Sequence, residues 1–352
     1  MARPFTVVMI VPTGVGADLG GYAGDALPIA RSLSGVCDTL ITHPNVLNGA
    51  QLYWSIPNAL YVEGYALDQM AAGCWGLQPV HSNRVGLLLD RGMEPELQLR
   101  HLQAADGARA TLGINMTDYV ITDAPLNVEL RIAPSGASWG TIGNPDSLLR
   151  GAQKLIEQAG AEAIAVVARF PDDQGSVALT QYRQGQGVDP LAGAEAIISH
   201  LIVRHFRIPC AHAPALLPLP LDPHLSPRSA AEEIGYTFLP CVLAGLSRAP
   251  QYVQSPLTAP DSIWAHQVDA VVVPETACGG SAILSFANTP TRIITVAENG
   301  TTMATPPEAI GIKTVPVKSY LEAIGVLVTW QQGVNHQALR PHLTTLNRLH
   351  TP

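Results

Sequence analysis

Short runs of apolar, largely β-branched residues alternate with amphipathic stretches along nearly the whole chain. Continuous runs predict strands at residues 6–11, 39–42, 84–90, 119–123, 163–170, 269–274, 292–297 and 313–317. Residues 94–112, 144–159, 190–206 and 319–332 instead carry the 3.6-residue spacing of helices. The helix from 144 has its own punctuation. Asn144 suits an N-cap, Pro145 fits the first turn where an N–H has no helical partner, and Gly160 can take the left-handed conformation that ends a helix. Runs such as Ala163-Ile164-Ala165-Val166-Val167-Ala168 and Ala270-Val271-Val272-Val273 lack polar alternation, which predicts sheet covered on both faces. The alternation as a whole predicts a multilayer α/β protein: mostly parallel sheets flanked by helices, in two intimately associated halves. The first half, 1–140, holds a glycine-rich loop. The second, 141–352, holds a proline-rich arm at 211–228 and a Cys-Gly-Gly loop, and the Gly/Ser-rich tract 133–143 is expected to cross between them.

Composition narrows the partners. With 352 residues, 47% of them hydrophobic, the chain can bury a large core. Only 14% are charged, which leaves little charge to cover a monomer, so a homo-oligomer is expected. A net charge of −8 with scattered Lys and Arg gives no electrostatic reason to bind nucleic acid or an anionic membrane. Cys37, Cys74, Cys210, Cys241 and Cys278 are odd in number and contain no C-x-x-C pair, which argues against a disulfide framework and predicts a cytoplasmic protein. The run after Met1-Ala2-Arg3 meets Pro12 and Gly14 at once, so it is expected to be a first strand rather than a signal peptide.

Ligands in parallel α/β sheets collect outside the carboxyl ends of strands, and the unusual polar residues fall there. Gly14, Gly16, Asp18, Gly20, Gly21 and Asp25 follow the first run; His43, Asn45 and Asn48 follow the second. Asp123 ends a later strand, Asp172-Asp173 follow 163–170, and Glu275, Cys278, Gly279, Gly280 and Ser281 follow 269–274. Glu298 and Asn299 follow 292–297. The same residues also suit plainer duties: Asp18 and Asp25 as turn or cap residues, His43 and the asparagines as partners for loop backbone, Asp172-Asp173 as a solvated turn.

The segment Pro274-Glu275-Thr276-Ala277-Cys278-Gly279-Gly280-Ser281 sets a thiol before a helix N-terminus, whose free N–H groups would lower its pKa and hold an oxyanion. This predicts an enzyme acting on a small polar or anionic metabolite by acyl transfer or hydrolysis through Cys278, with isomerisation as the next choice. His43 or His212 would serve as base, and Glu275 and Glu298 as acid and base. A non-catalytic metabolite-binding or assembly protein is the competing class. A metal-dependent hydrolase is the third reading, from His200, His205, His212, His224, Glu195 and Asp222. Its ligand spacing is poor, because Glu195, His200 and His205 lie five residues apart, about 140° around a helix. No cofactor is therefore expected; Gly14-Val15-Gly16-Ala17-Asp18-Leu19 also lacks the third glycine of a dinucleotide loop.

Residues 12–28, Thr42-His43-Pro44-Asn45-Val46-Leu47-Asn48, Ala168-Arg169-Phe170-Pro171-Asp172-Asp173, Glu195-Ala196-Ile197-Ile198-Ser199-His200, Ala211-His212-Ala213-Pro214, Cys278-Gly279-Gly280 and Tyr320-Leu321-Glu322-Ala323-Ile324-Gly325 together resemble a family catalogued only as a domain of unknown function, frequent in cyanobacteria. The resemblance spans nearly the whole chain. It implies a bacterial cytoplasmic protein of one integrated architecture, with no assigned catalytic residue. A looser similarity to aspartate/glutamate racemases lies in the strand at 269–274 and its cysteine loop. Those enzymes pair two cysteines in opposed halves, and no second cysteine follows a matching N-terminal strand here. Light scattering at micromolar concentration is expected to return a multiple of the 37.2 kDa chain mass; a monomer mass would defeat the argument from sparse charge.

Overall fold

A computed structural model describes residues 3–49, 52–172, 176–257, 259–346 and 348. Asp173, one of the strand-exit carboxylates above, lies outside the described residues. In chain order the strands are β1 (Thr6–Met9), β2 (Thr39–Thr42), β3 (Ala59–Tyr61), β4 (Gly76–Gln78), β5 (Val85–Leu89), β6 (Met116–Ile121) and β7 (Val128–Ile132), then β8 (Ser138–Ile142), β9 (Ala163–Arg169), β10 (Cys210–Ala215), β11 (Gln251–Val253), β12 (Val268–Pro274), β13 (Arg292–Val296) and β14 (Val315–Val317). The helices are α1 (Leu27–Ser34), α2 (Pro44–Leu47), α3 (Gly64–Ala71), α4 (Pro95–Leu112), α5 (Pro145–Ala159) and α6 (Val177–Arg183), then α7 (Ala192–Phe206), α8 (Pro227–Glu233), α9 (Leu239–Leu246), α10 (Ser281–Phe286) and α11 (Tyr320–Gln331). Among the described residues, no helix is long and apolar enough to cross a membrane.

Two parallel sheets form the frame. One has six strands in the order β14-β13-β12-β1-β2-β3, the other four in the order β10-β9-β5-β6. The continuous apolar runs are explained by burial on both faces. Along β12, Ala270 and Val272 join one core cluster, packed with α1, α9 and α11, while Val271 and Val273 join a second one with α3, α7 and α10. Both sheets take strands from either side of residue 140: β1 to β3 pair with β12 to β14, and β5 and β6 with β9 and β10.

All eight expected strands and four expected helices are present, with ends displaced by a few residues. The punctuated tracts are where the structure differs. Residues 133–143, expected as a crossing, close an antiparallel hairpin, β7 with β8, in which Gly136 takes φ +88° at the turn. The expected arm from 211 begins as β10, an edge strand paired along its length with β9. Pro214 is tolerated there because an edge strand has one side free of ladder bonds.

Helix α7 packs hard against the hairpin. A methyl group at Gly193 would overlap the Ser138 carbonyl oxygen and the Trp139 Cα, both backbone atoms that cannot swing away. Gly193→Ala is therefore expected to destabilise the fold by about 1–3 kcal/mol, read as a lowered midpoint in urea unfolding. An unchanged midpoint would show that α7 is free to shift.

Candidate functional site

The carboxyl ends of β1, β2, β3 and β12 open into a cavity of about 740 Å³, bounded by α7, β10 and the segments around α8. That volume suits a small organic molecule. Its walls mix apolar side chains, among them Leu67, Leu191, Leu216, Leu217, Phe238 and Ile283, with a converging set of polar ones.

The polar set begins at Glu63, just past β3. Its buried carboxylate caps α3: Oε2 accepts the amides of Tyr65 at 2.8 Å and Ala66 at 3.2 Å, two of the donors that a helix start leaves unpaired. Its other oxygen faces His200 Nε2 at 2.8 Å and the Ser199 hydroxyl at 3.5 Å. Ser199 Oγ in turn lies 3.3 Å from His212 Nδ1, and His212 Nε2 lies 3.5 Å from Glu195 Oε2. Glu195 and Ser199 stand four residues apart on α7 and so share one helix face. On β10 the two-residue pleat sends His212 to the cavity while Ala211 and Ala213 go to the core. The result is one chain of groups along the wall: Glu195, His212, Ser199, Glu63, His200.

The imidazoles around the cavity are driven in opposite directions. Burial works against a charged His200, but the hydrogen bond and charge of Glu63, helped by Asp68, outweigh it and raise its pKa. Burial pushes His43 down to about 4, and its Nε2 accepts the Val11 amide at 3.0 Å, so its ring is neutral with the proton on Nδ1. A second polar wall holds Asp189, Glu232 and Tyr182. Burial, with the neighbouring carboxylates Glu195 and Asp25, lifts Glu232 to about 7 although the Tyr182 hydroxyl at 2.5 Å and the Ala23 amide at 3.1 Å both donate to it. Burial and the charge of Glu232 raise Asp189 well above the usual carboxylate range.

Of the residues singled out by sequence, His43, Asn45, Asn48, Asp172, Glu195, His200, His212, Gly280 and Ser281 line the cavity. The others are engaged elsewhere. Cys278 is fully buried, its Sγ lies 3.4 Å from the Glu275 carbonyl, and its amide donates to Thr305 O. Burial, with the charges of Glu275 and Glu308, pushes the thiol up to about 11, the reverse of the lowering expected at a helix start. Gly279 packs on Thr305, where a methyl group would meet Cγ2 at 2.9 Å. Glu275 and Glu298 follow the paired strands β12 and β13, as expected, but outside the cavity lining; Glu298 caps α11 through the Tyr320 amide at 2.8 Å. Asn299 clamps Leu19 by both its backbone groups.

The glycine loop spends several of its donors on the fold itself. The amides of Asp18, Leu19 and Gly20 go to Gly300 O, Asn299 Oδ1 and Asp25 Oδ1, while Gly14, Gly16 and Gly20 take positive φ and Gly21 abuts the Ala17 carbonyl. Asp123 sits in an exposed pair with Arg150, at 2.6 Å, which lowers its pKa. No cysteine lines the cavity, so the two-thiol arrangement of a racemase is not built here. Among the described residues, no group of three or more His, Cys, Asp or Glu is arranged to hold a metal ion.

Residues 6–340 match the family model described as "Protein of unknown function (DUF3326)". The chain belongs to this family. A protein of Synechococcus sp. (strain ATCC 27144 / PCC 6301 / SAUG 1402/1), named an uncharacterized lipoprotein, is 61% identical over 341 residues, covering 97% of this chain and 95% of the relative. No solved structure matches. The relative's name corrects the expected cytoplasmic location, since a lipoprotein is held at a membrane by its lipid. The physical reason is that unpaired thiols report the absence of disulfides, which is compatible with more than one compartment; all five cysteines are free.

In this DUF3326 chain the residues that sequence reasoning missed are Glu63, Asp189, Ser199 and Glu232, while Glu195 and His200 were weighed only as metal ligands. The one local signal was the four-residue spacing of Glu195 and Ser199. His43 supplies a test of the site's electrostatics. The unfolded chain binds a proton at His43 near 6.5 that the folded chain refuses until about 4, so this group's contribution is present above 6.5 and falls by about 3 kcal/mol as the pH drops to 4. His43→Gln, which keeps an acceptor for the Val11 amide, is expected to remove that slope. If urea midpoints of wild type and variant run parallel between pH 4 and 6.5, the neutral buried imidazole is refuted.

Proposed function

We propose that this protein is an acid–base enzyme acting on a small organic substrate held in the cavity between the two sheets. The observation that carries the reading is the chain of close polar contacts Glu195–His212–Ser199–Glu63–His200, which lies on the cavity wall and draws on three separate elements. Structural needs alone call for one partner per buried polar group. Here two imidazoles and two carboxylates are linked through one hydroxyl, an arrangement suited to passing a proton to and from a bound molecule.

The opposed biases of His200 and His43 support the same reading. A ring whose partner carboxylate raises its pKa is biased toward acting as an acid, while a neutral ring with its acceptor nitrogen filled can only donate a hydrogen bond. The cavity lining carries seven carboxyl groups, Glu63, Asp68, Asp172, Asp189, Glu195, Glu232 and Glu233, of which burial pushes Asp189 and Glu232 toward their neutral forms and Arg169 pairs with Asp172, against one arginine, Arg183, which already pairs with Glu233 at 2.8 Å. This balance favours a neutral or cationic substrate over the anionic one anticipated from the glycine loops.

A metabolite panel scored by thermal stabilisation would find ligands, because binding to the folded state at 100 times Kd adds about 2.7 kcal/mol. At least one stabilising compound is expected to be chemically converted by wild type, and His212→Asn to slow that conversion by about 10²–10⁴-fold. Stabilisation by several compounds with conversion of none would overturn the enzyme reading in favour of a binding protein.

A further inference from the structure

The geometry points to Ser199 as the nucleophile of an acyl-transfer or hydrolysis reaction, with His212 as its base and a carboxylic ester or amide bearing an apolar acyl group as the substrate class. This rests on the acid–base reading above and deepens it. His212 presents one nitrogen to a hydroxyl and the other to a carboxylate: Nδ1 to Ser199 Oγ at 3.3 Å, Nε2 to Glu195 Oε2 at 3.5 Å. A carboxylate at Nε2 holds the ring proton there and leaves the Nδ1 lone pair facing the hydroxyl, which is what a base for serine requires.

The helix fixes this geometry. Glu195 and Ser199 lie one turn apart on α7, and α7 is pressed against β8 at Gly193, so carboxylate and hydroxyl reach His212 from one rigid body. The hydroxyl has two further acceptors, Ala196 O at 3.3 Å and Glu63 Oε1 at 3.5 Å, and that carboxylate also accepts two amides and faces His200. The alternative nucleophile, Cys278, is outside the cavity lining. Leu67, Leu216, Leu217, Phe238 and Ile283 supply an apolar lining for an acyl chain, and the neutral ring of His43 lines the same cavity.

The chemistry closes with water as the sole co-reactant. Ser199 Oγ bonds to the acyl carbon as its proton passes to His212 Nδ1. The bond to the leaving group then breaks, and that group departs with the same proton. Water next gives a proton to His212 Nδ1 and attacks the acyl-serine carbon, and Ser199 Oγ leaves and recovers the proton.

The test is exposure of the full chain to an alkyl fluorophosphonate, followed by intact mass and peptide mapping. One phosphonyl group is expected on Ser199, with loss of fluoride. Ser199→Ala should take up none. His212→Asn should label on the order of 10³-fold more slowly, and Glu195→Gln should slow labelling and shift its pH profile, which a merely structural carboxylate would not do. Unfolding midpoints near wild type keep these comparisons meaningful, and alanine suits the interior of α7. An unlabelled wild type, an adduct elsewhere, or equal labelling of Ser199→Ala would overturn the assignment. If Ser199→Ala still converts a panel compound that His212→Asn does not, the nucleophile is refuted while the acid–base reading stands.

Discussion

A carboxylate removed from water is stable only when its oxygens are filled, and Glu63 meets that condition by joining two helices that are distant in sequence. One oxygen closes the first turn of α3, and the other meets His200 and Ser199 on α7, more than 130 residues along the chain. Since α3 rests on both α7 and α10, this carboxylate sets how the helical layer sits over the exits of β3 and β12. The two orphan amides of α3 and the imidazole of His200 would lose their common partner together. The cavity wall is in this sense the by-product of satisfying one buried charge.

Helix α7 turns that constraint into a site. Its two faces are used differently: Ser199 and Glu195 reach toward His212 on β10, and His200, one residue further around, reaches toward Glu63. The five-residue spacing of Glu195 and His200, which separates them by about 140° and argues against a shared metal, is what lets one helix serve both ends of the relay. Ser199 lies between the two directions and belongs to both.

The frame was legible in the sequence because strands buried on both faces are written as unbroken apolar runs; β1, β5, β9, β12 and β13 all read this way. Strands without such runs were not. β10 reads Cys-Ala-His-Ala-Pro-Ala, where small residues and a proline conceal a strand that only its pairing with β9 reveals. The hairpin of β7 and β8 passed for a linker because its turn needs glycine and serine. The rule that ligands gather at strand exits found His43, Asn45, Asn48, Gly280 and Ser281. It could not find Glu63 opposite Ser199, since β3 is three residues long and nothing local marks a contact between such distant positions.

The glycine loop after β1 shows why a count of backbone donors decides between binding and bracing. Glycines there do adopt left-handed backbone, as a cradle for an anion would need, yet their neighbours' amides are already spent on Asp25, Asn299 and Gly300. What the loop does instead is hold the opposite wall. Asp25 Oδ1 takes the Gly20 amide at 2.7 Å while its Oδ2 meets Arg228 of α8 at 3.1 Å, and the Ala23 amide holds Glu232. Tyr22 stacks on Tyr182, whose hydroxyl donates to that same Glu232. Glycine permits the loop to turn tightly enough for these contacts to be made by Tyr22, Ala23 and Asp25, all soon after β1. Its connection to the cavity therefore runs through α8 and Glu232, which line it, and the tightness of the loop governs the shape of a wall that residues 14–25 touch at Ala23.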